Sequence, residues 1–249
     1  MRRSWAEQVM GMPISVLARG EQAASAAVEE AVRDMYAELV EVDRIFSPYK
    51  PDSSVSRLAR GEVGWDDVEP LVRDVAERCV AARALTGGLF DADVPGGCWD
   101  PSGLVKGWAV ERAGERLRAV AGVDWCLNAG GDVLVLCAGD EDFTIGIQDP
   151  HDPTRVVASL ARNGGAVATS GTSARGAHLY DPRTGTEVAT RWLSVSVSGP
   201  SVEYADVLAT AAFVAGDGWP EVLTVLPGYE GLGVLADGNL FSTVGWGVA

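Results

Sequence analysis

The sequence predicts an α+β fold, with helices early in the chain packed on an antiparallel sheet. Two observations carry this. Up to about residue 117, most apolar residues recur at helical spacings of three and four; beyond it they fall in short runs of strand length. The chain has 249 residues, long enough for a sizeable core, and its 47% hydrophobic and 22% charged residues are ordinary for a globular protein.

The elements follow in order. "ISVLA" (14–18) reads as a first strand. In "EQAASAAVEEAVRDMYAELVEVDRIFS" the residues Ala24, Val28, Val32, Met35, Leu39 and Val42 line one face of a long amphipathic helix. "SPYKPDSSVSRLARGE" is rich in serine and proline and reads as a loop. Asp66 or Asp67 can cap a second helix whose buried stripe is Val68, Leu71, Val72, Val75, Cys79 and Val80, ending at Gly87-Gly88. A third helix lies in "DPSGLVKGWAVERAGERL" (100–117), with Asp100 as N-cap, Pro101 at the first helical position and Val105, Ala109, Ala113 and Leu117 on one face. Then come the strand-like runs "WCLNAGGDVLVLC", "FTIGIQD", "VVASLA", "GAVATSG", "AHLYD" and "LSVSVSG". A helix at "VEYADVLATAAFVAG" and a hairpin at "GVLADGNLFST", turning near Asp237-Gly238, complete the chain.

Charge narrows the function. The net charge of −15 argues against a nucleic-acid surface, which needs a basic patch. A chain this acidic binds an anionic ligand through local devices: helix ends, backbone amides, a few cations or a metal. No run approaches the 18 or so apolar residues of a membrane span. "MRRSWAEQVMGMPISVL" has no apolar run of signal-peptide length and no small-residue cleavage site. Cys79, Cys98, Cys126 and Cys137 show no zinc-type spacing, and free thiols are expected rather than disulfides. Together these features predict a cytoplasmic protein.

Five stretches could carry chemistry. The third helix begins with Gly103, Lys106 and Gly107, although a glycine inside a helix costs about 1 kcal/mol relative to alanine; anion binding at the helix start would explain the composition. Gly130-Gly131 interrupts a good strand, as a bulge or as a wall against a ligand. "ATSG" (168–171) is either a plain turn or a nest of amides and hydroxyls facing a phosphate. "HLYDPRTG" places His178 beside a turn, as a structural histidine or a catalyst, whereas His151 in "DPHDP" is loop surface. Asp206 and Thr210 share a helical face, either solvated or offering an oxygen pair to a hard cation.

The order of these pieces is more specific than any one of them. "MGMPISV", "FSPYKPDSSVSRL", "TGGLFDADV", "DPSGLVKGWAVERAGERL", "LNAGGDVLVLC", "AVATSGTSARGAHLYDPRTG" and "SVSVSGPSVEYADVLATAAFVAG" together resemble the ApbE family of FAD:protein FMN transferases, from about residue 10 to the C-terminal hairpin. The resemblance implies one globular, T-fold-like unit over residues 1–249. It further implies a Mg²⁺-dependent transferase that takes FAD as substrate, cleaves its pyrophosphate, passes FMN to a threonine or serine hydroxyl of a target flavoprotein, and releases AMP. Asp100 and Lys106 match flavin-binding positions, and Met10, Tyr49, Leu89, Phe90, Asp91 and Tyr180 match positions lining FAD. Asp206 and Thr210 match the side-chain metal ligands, and position 103 a metal-proximal site where Gly103 offers its carbonyl. His178 and Lys106 are the catalytic candidates, with His178 or a nearby carboxylate as general base. A Mg²⁺-dependent FAD pyrophosphatase and a non-catalytic FAD-binding protein are the competing readings.

Overall fold

The computed structural model describes residues 1–94, 98–172 and 180–247. A hairpin of β1 (Arg2–Val9) and β2 (Met12–Arg19) leads into α1 (Ala26–Phe46), the short α2 (Ser54–Ala59) and α3 (Pro70–Leu85). The two-residue strands β3 (Asp93–Val94) and β4 (Cys98–Trp99) precede α4 (Ser102–Arg118). Next come β5 (Asp124–Ala129), β6 (Asp132–Leu136), β7 (Phe143–Gln148), β8 (Val156–Arg162) and β9 (Gly164–Gly171). The small pair β10 (Tyr180–Asp181) and β11 (Thr186–Glu187) is followed by β12 (Trp192–Gly199), α5 (Val202–Ala215), α6 (Trp219–Val222), β13 (Glu230–Leu235) and β14 (Leu240–Ser242).

Eight strands form one sheet in the order β1-β2-β5-β6-β9-β12-β13-β14, every neighbour antiparallel. Period-2 alternation gives the sheet two apolar faces. Val16, Leu127, Leu134, Ala168, Val195 and Val197 join the core built with α1, α4 and α5. Val133, Val135, Val167 and Leu232 point the other way, into a second core covered by Phe143, Ile145, Ile147 and Leu160 of the β7–β8 ribbon. The fold is therefore α+β, as expected, with the helical layer on one face and a β-ribbon on the other.

Several expectations are corrected. The first strand of the chain is β1, not residues 14–18; its residues are exposed except at Trp5 and Val9, so it carries no apolar alternation to read. The serine-rich loop contains α2, where Ser53 Oγ accepts from the Ser56 amide at 3.1 Å and caps a helix of a single short run. α3 starts at Pro70 with Glu69 in the cap position, neither Asp66 nor Asp67, and Val80 is 69% exposed rather than part of the stripe. Gly130 and Gly131 lie outside a strand: they are the turn of the β5–β6 hairpin, at φ +59° and +103°, values that glycine adopts without strain. The four cysteines are free, Cys79 buried, Cys126 and Cys137 half-buried and Cys98 exposed. No helix among the described residues is long and apolar enough to cross a membrane.

Candidate active site

The site lies where α4 and α5 meet the ends of β6 and β9. α4 begins at Ser102, one residue later than its sequence suggests, with Pro101 in the cap position. Asp100 still serves the helix start, because its Oδ1 accepts from the Ser102 amide at 3.0 Å. The Ser102 amide is thereby paired with a carboxylate at the helix start.

Gly103 and Gly107, two of the three glycines of α4, have a packing reason. A Cβ on Gly107 would lie 2.7 Å from the Val202 carbonyl oxygen, 2.9 Å from Asp206 Cβ and 3.0 Å from Glu203 Cα. Gly107 therefore lets α4 touch the backbone of α5, and its own amide donates to Asp206 Oδ2 at 3.1 Å. A Cβ on Gly103 would meet Phe90 Cε2 at 3.0 Å. These close approaches carry Lys106, one residue before Gly107, down onto the sheet.

Lys106 lies between two carboxylates. Its Nζ is 2.6 Å from Asp132 Oδ2 and 3.2 Å from Asp206 Oδ1. Asp132, the first residue of β6, is 1% exposed, and its Oδ1 accepts from the Thr169 amide at 3.2 Å. Asp206 is 2% exposed. One turn along α5, the Thr210 hydroxyl meets Ser170 Oγ of β9 at 3.0 Å. Helix α5 thus turns its Asp–Thr face toward the sheet, and "ATSG" supplies an amide and a hydroxyl to the same cluster.

Around this cluster the structure places the other sequence-derived positions unevenly. Phe90 is buried against Gly103, while Leu89 is partly exposed beside it. Asp91 is ion-paired with Arg83 at 3.0 Å. An open cavity of about 480 Å³ adjoins it, lined by Arg83, Gly88, Asp91, Pro182 and Arg183 among others. Burial, and then the negative fields of Asp91, Asp100 and Asp93, push the Tyr180 phenol up to about 12, so it stays a hydrogen-bond donor. The Cys79 thiol is pushed up to about 12 as well, by burial first, which makes it inert. Met10 lies in the β1–β2 turn at φ +56°. Tyr49 projects into solvent at 93% exposure. His178 lies outside the described residues. His151 is on an exposed bend, as expected.

Motif reasoning missed Asp132. The signal was present in "AGGDVLVLC": a carboxylate at a register position that shares its sheet face with Leu134 must be buried, and a buried carboxylate needs a partner. It missed Glu203 too, 7% exposed on α5 and paired with Arg78 of α3 at 3.1 Å. Burial raises the Glu203 carboxyl above its usual pKa despite that pairing.

Among the described residues, no three His, Cys, Asp or Glu side chains converge closely enough to form a metal cage. The donors present suit a different arrangement. Asp206 and Thr210 offer a carboxylate and a hydroxyl oxygen on one face, and Mg²⁺ takes a small number of hard protein oxygens while keeping waters and phosphate oxygens. The residues therefore fit a hard divalent cation that shares its coordination with a phosphorylated ligand.

Comparison with known proteins gives the family and the fold. The ApbE family profile matches residues 10–97 and 96–232. The FAD:protein FMN transferase of Vibrio cholerae is 29% identical over 170 residues, covering 61% of this chain and 51% of its own. That of Treponema pallidum is 28% identical over 166 residues, covering 59% and 46%. The chain thus spans about half the length of these curated relatives. In three dimensions it is similar to the ApbE protein of Thermotoga maritima, with a TM-score of 0.85 at 21% identity over 98% of this chain and 97% of that one. The flavin transferase ApbE of Vibrio cholerae superposes with a TM-score of 0.76 at 18% identity, covering 98% and 96%. On the strength of a profile match that runs from the β1–β2 turn into β13, this chain belongs to the ApbE family.

Proposed function

We propose that the protein transfers the FMN portion of FAD to a serine or threonine hydroxyl of an acceptor flavoprotein, in a Mg²⁺-dependent reaction that releases AMP, with the whole chain acting as one unit. The carrying observation is the Lys106 ammonium held between Asp132 and Asp206 beside Thr210. A strongly acidic chain has here a half-buried cation and a hard-oxygen pair, a combination suited to a pyrophosphate. The names of the curated relatives from Vibrio cholerae and Treponema pallidum support the reading.

The acceptor oxygen bonds to the FMN phosphorus, the bond from that phosphorus to the bridging oxygen breaks, and AMP leaves with the electron pair. Lys106 offsets charge on the pyrophosphate oxygens and orients them. Held by Asp206, Thr210 and the Gly103 carbonyl, Mg²⁺ would supply further charge neutralisation. His178 or a neighbouring carboxylate accepts the hydroxyl proton. Asp100, Leu89, Phe90, Asp91 and Tyr180 hold FAD, with Met10 and Tyr49 at the margin. The cavity beside Asp91 falls within the size range of small-ligand sites, roughly 300–1,000 Å³.

The test incubates the purified chain with FAD and MgCl₂, with and without an acceptor flavoprotein. Transfer gives AMP together with covalently flavinylated acceptor, and little AMP when the acceptor is omitted. Free FMN and AMP without acceptor would instead mark a pyrophosphatase, and intact bound FAD a binding protein.

A further inference from the structure

Lys106 is shared by two carboxylates in unequal positions. Asp132 Oδ2 holds its Nζ at 2.6 Å, whereas Asp206 Oδ1 lies at 3.2 Å. The Asp132 carboxylate is itself fixed, since Oδ1 accepts from the Thr169 amide at 3.2 Å and the side chain is almost wholly buried. Asp206 is the carboxylate that the proposed function gives to a divalent cation, and an ammonium at the same oxygen competes with that cation.

Resting on the Mg²⁺-dependent reading, we infer that Asp132 is the positioning residue of this site: it draws the Lys106 ammonium toward the sheet, which leaves Asp206 able to take a divalent cation. Among the described residues, these two carboxylates and one ammonium sum to one negative charge, which attracts a divalent cation in a partly desolvated site. With asparagine at position 132 the sum is zero and the ammonium falls back on Asp206. Both changes weaken cation binding. Removing the ammonium has the opposite sign, because two carboxylates then face the cation. An Asp132 that merely tied β6 to β9 would leave the Mg²⁺ affinity of Asp132→Asn unchanged, since the asparagine amide oxygen still accepts from Thr169.

Isothermal titration of MgCl₂ into the full chain without FAD tests this, with a melting curve on each variant to confirm folding. Asp132→Asn is expected to weaken Mg²⁺ affinity by about 10- to 100-fold, the usual effect of losing an outer partner of a metal ligand. Lys106→Gln is expected to tighten it, and the double variant to return toward the parent. If the parent binds Mg²⁺ and Asp206→Ala abolishes binding, parent-like affinity in a folded Asp132→Asn overturns the inference and leaves the metal site standing. Should Asp132→Asn fail to fold, unchanged or weaker affinity in Lys106→Gln overturns it alone. Parent-like binding in Asp206→Ala would instead remove the metal site of the proposed function, and the inference with it.

Discussion

Gly107 and Gly103 occupy the same helix, yet their substitution carries different costs. Alanine at 107 would press on backbone atoms of α5 at 2.7 and 3.0 Å, which cannot give without moving the helix. Gly107→Ala should therefore destabilise the fold by about 1–3 kcal/mol, read from denaturant midpoints, and should also lower activity by shifting Asp206. Alanine at 103 meets one edge of the Phe90 ring at 3.0 Å, and a ring edge can turn aside. Gly103→Ala should shift the midpoint less, because its better helix propensity offsets part of the contact. Equal losses in the two variants would contradict this packing account. At Lys106 the expectation concerns the ligand: Lys106→Ala should weaken FAD binding by roughly 1–3 kcal/mol, the scale of a charge-assisted hydrogen bond, measured by flavin fluorescence titration.

Between elements, the join of β2 to β5 makes a pH prediction. Arg19 and Asp124 face each other in the register, with Arg19 Nη2 donating to Asp124 Oδ2 at 2.9 Å, and the guanidinium lies 4.2 Å from the centre of the Phe143 ring. Burial alone would raise the Asp124 pKa. The Ala138 and Gly139 amides and Arg19 outweigh it and hold the carboxyl below its usual value. A depressed carboxylate contributes stability that is present above its unfolded pKa, about 3.9, and lost as pH falls through the folded one. Asp124→Asn should thus flatten the acid limb of stability against pH below about pH 5. An acid limb as steep as the parent's would show that other carboxylates govern it. The helices that the sequence marked well, α1, α4 and α5, are those with apolar stripes buried against the sheet. What it did not mark has a physical reason in each case: β1 is polar on both faces, and α2 is too short for a period. The site was legible in the same proportion. Lys106, Asp206 and Thr210 stand out by motif and spacing, whereas Asp132 is recognisable only once the β6 register shows which way it points.

For the whole molecule, a net charge of −15 surrounds a site proposed to take an anionic ligand. On the proposed function, long-range repulsion slows the approach of FAD, while the half-buried Lys106 holds it once it has arrived. Raising salt from about 0.01 M to about 0.15 M shortens the Debye length and should speed FAD association about twofold or more, seen by stopped-flow fluorescence. A rate that falls with salt would indicate a positive local field at the entrance instead.

Asp206 and Thr210 on α5, with Lys106 on α4, are proposed to form a cation-assisted pyrophosphate site. The measurement that bears on it most directly is AMP release from FAD against MgCl₂ concentration in the presence of acceptor, in the parent, Asp206→Ala and Thr210→Val. The claim predicts a saturable Mg²⁺ dependence in the parent, no Mg²⁺-dependent release in Asp206→Ala, and a curve displaced to higher Mg²⁺ in a folded Thr210→Val. Superimposable curves for all three proteins would contradict it.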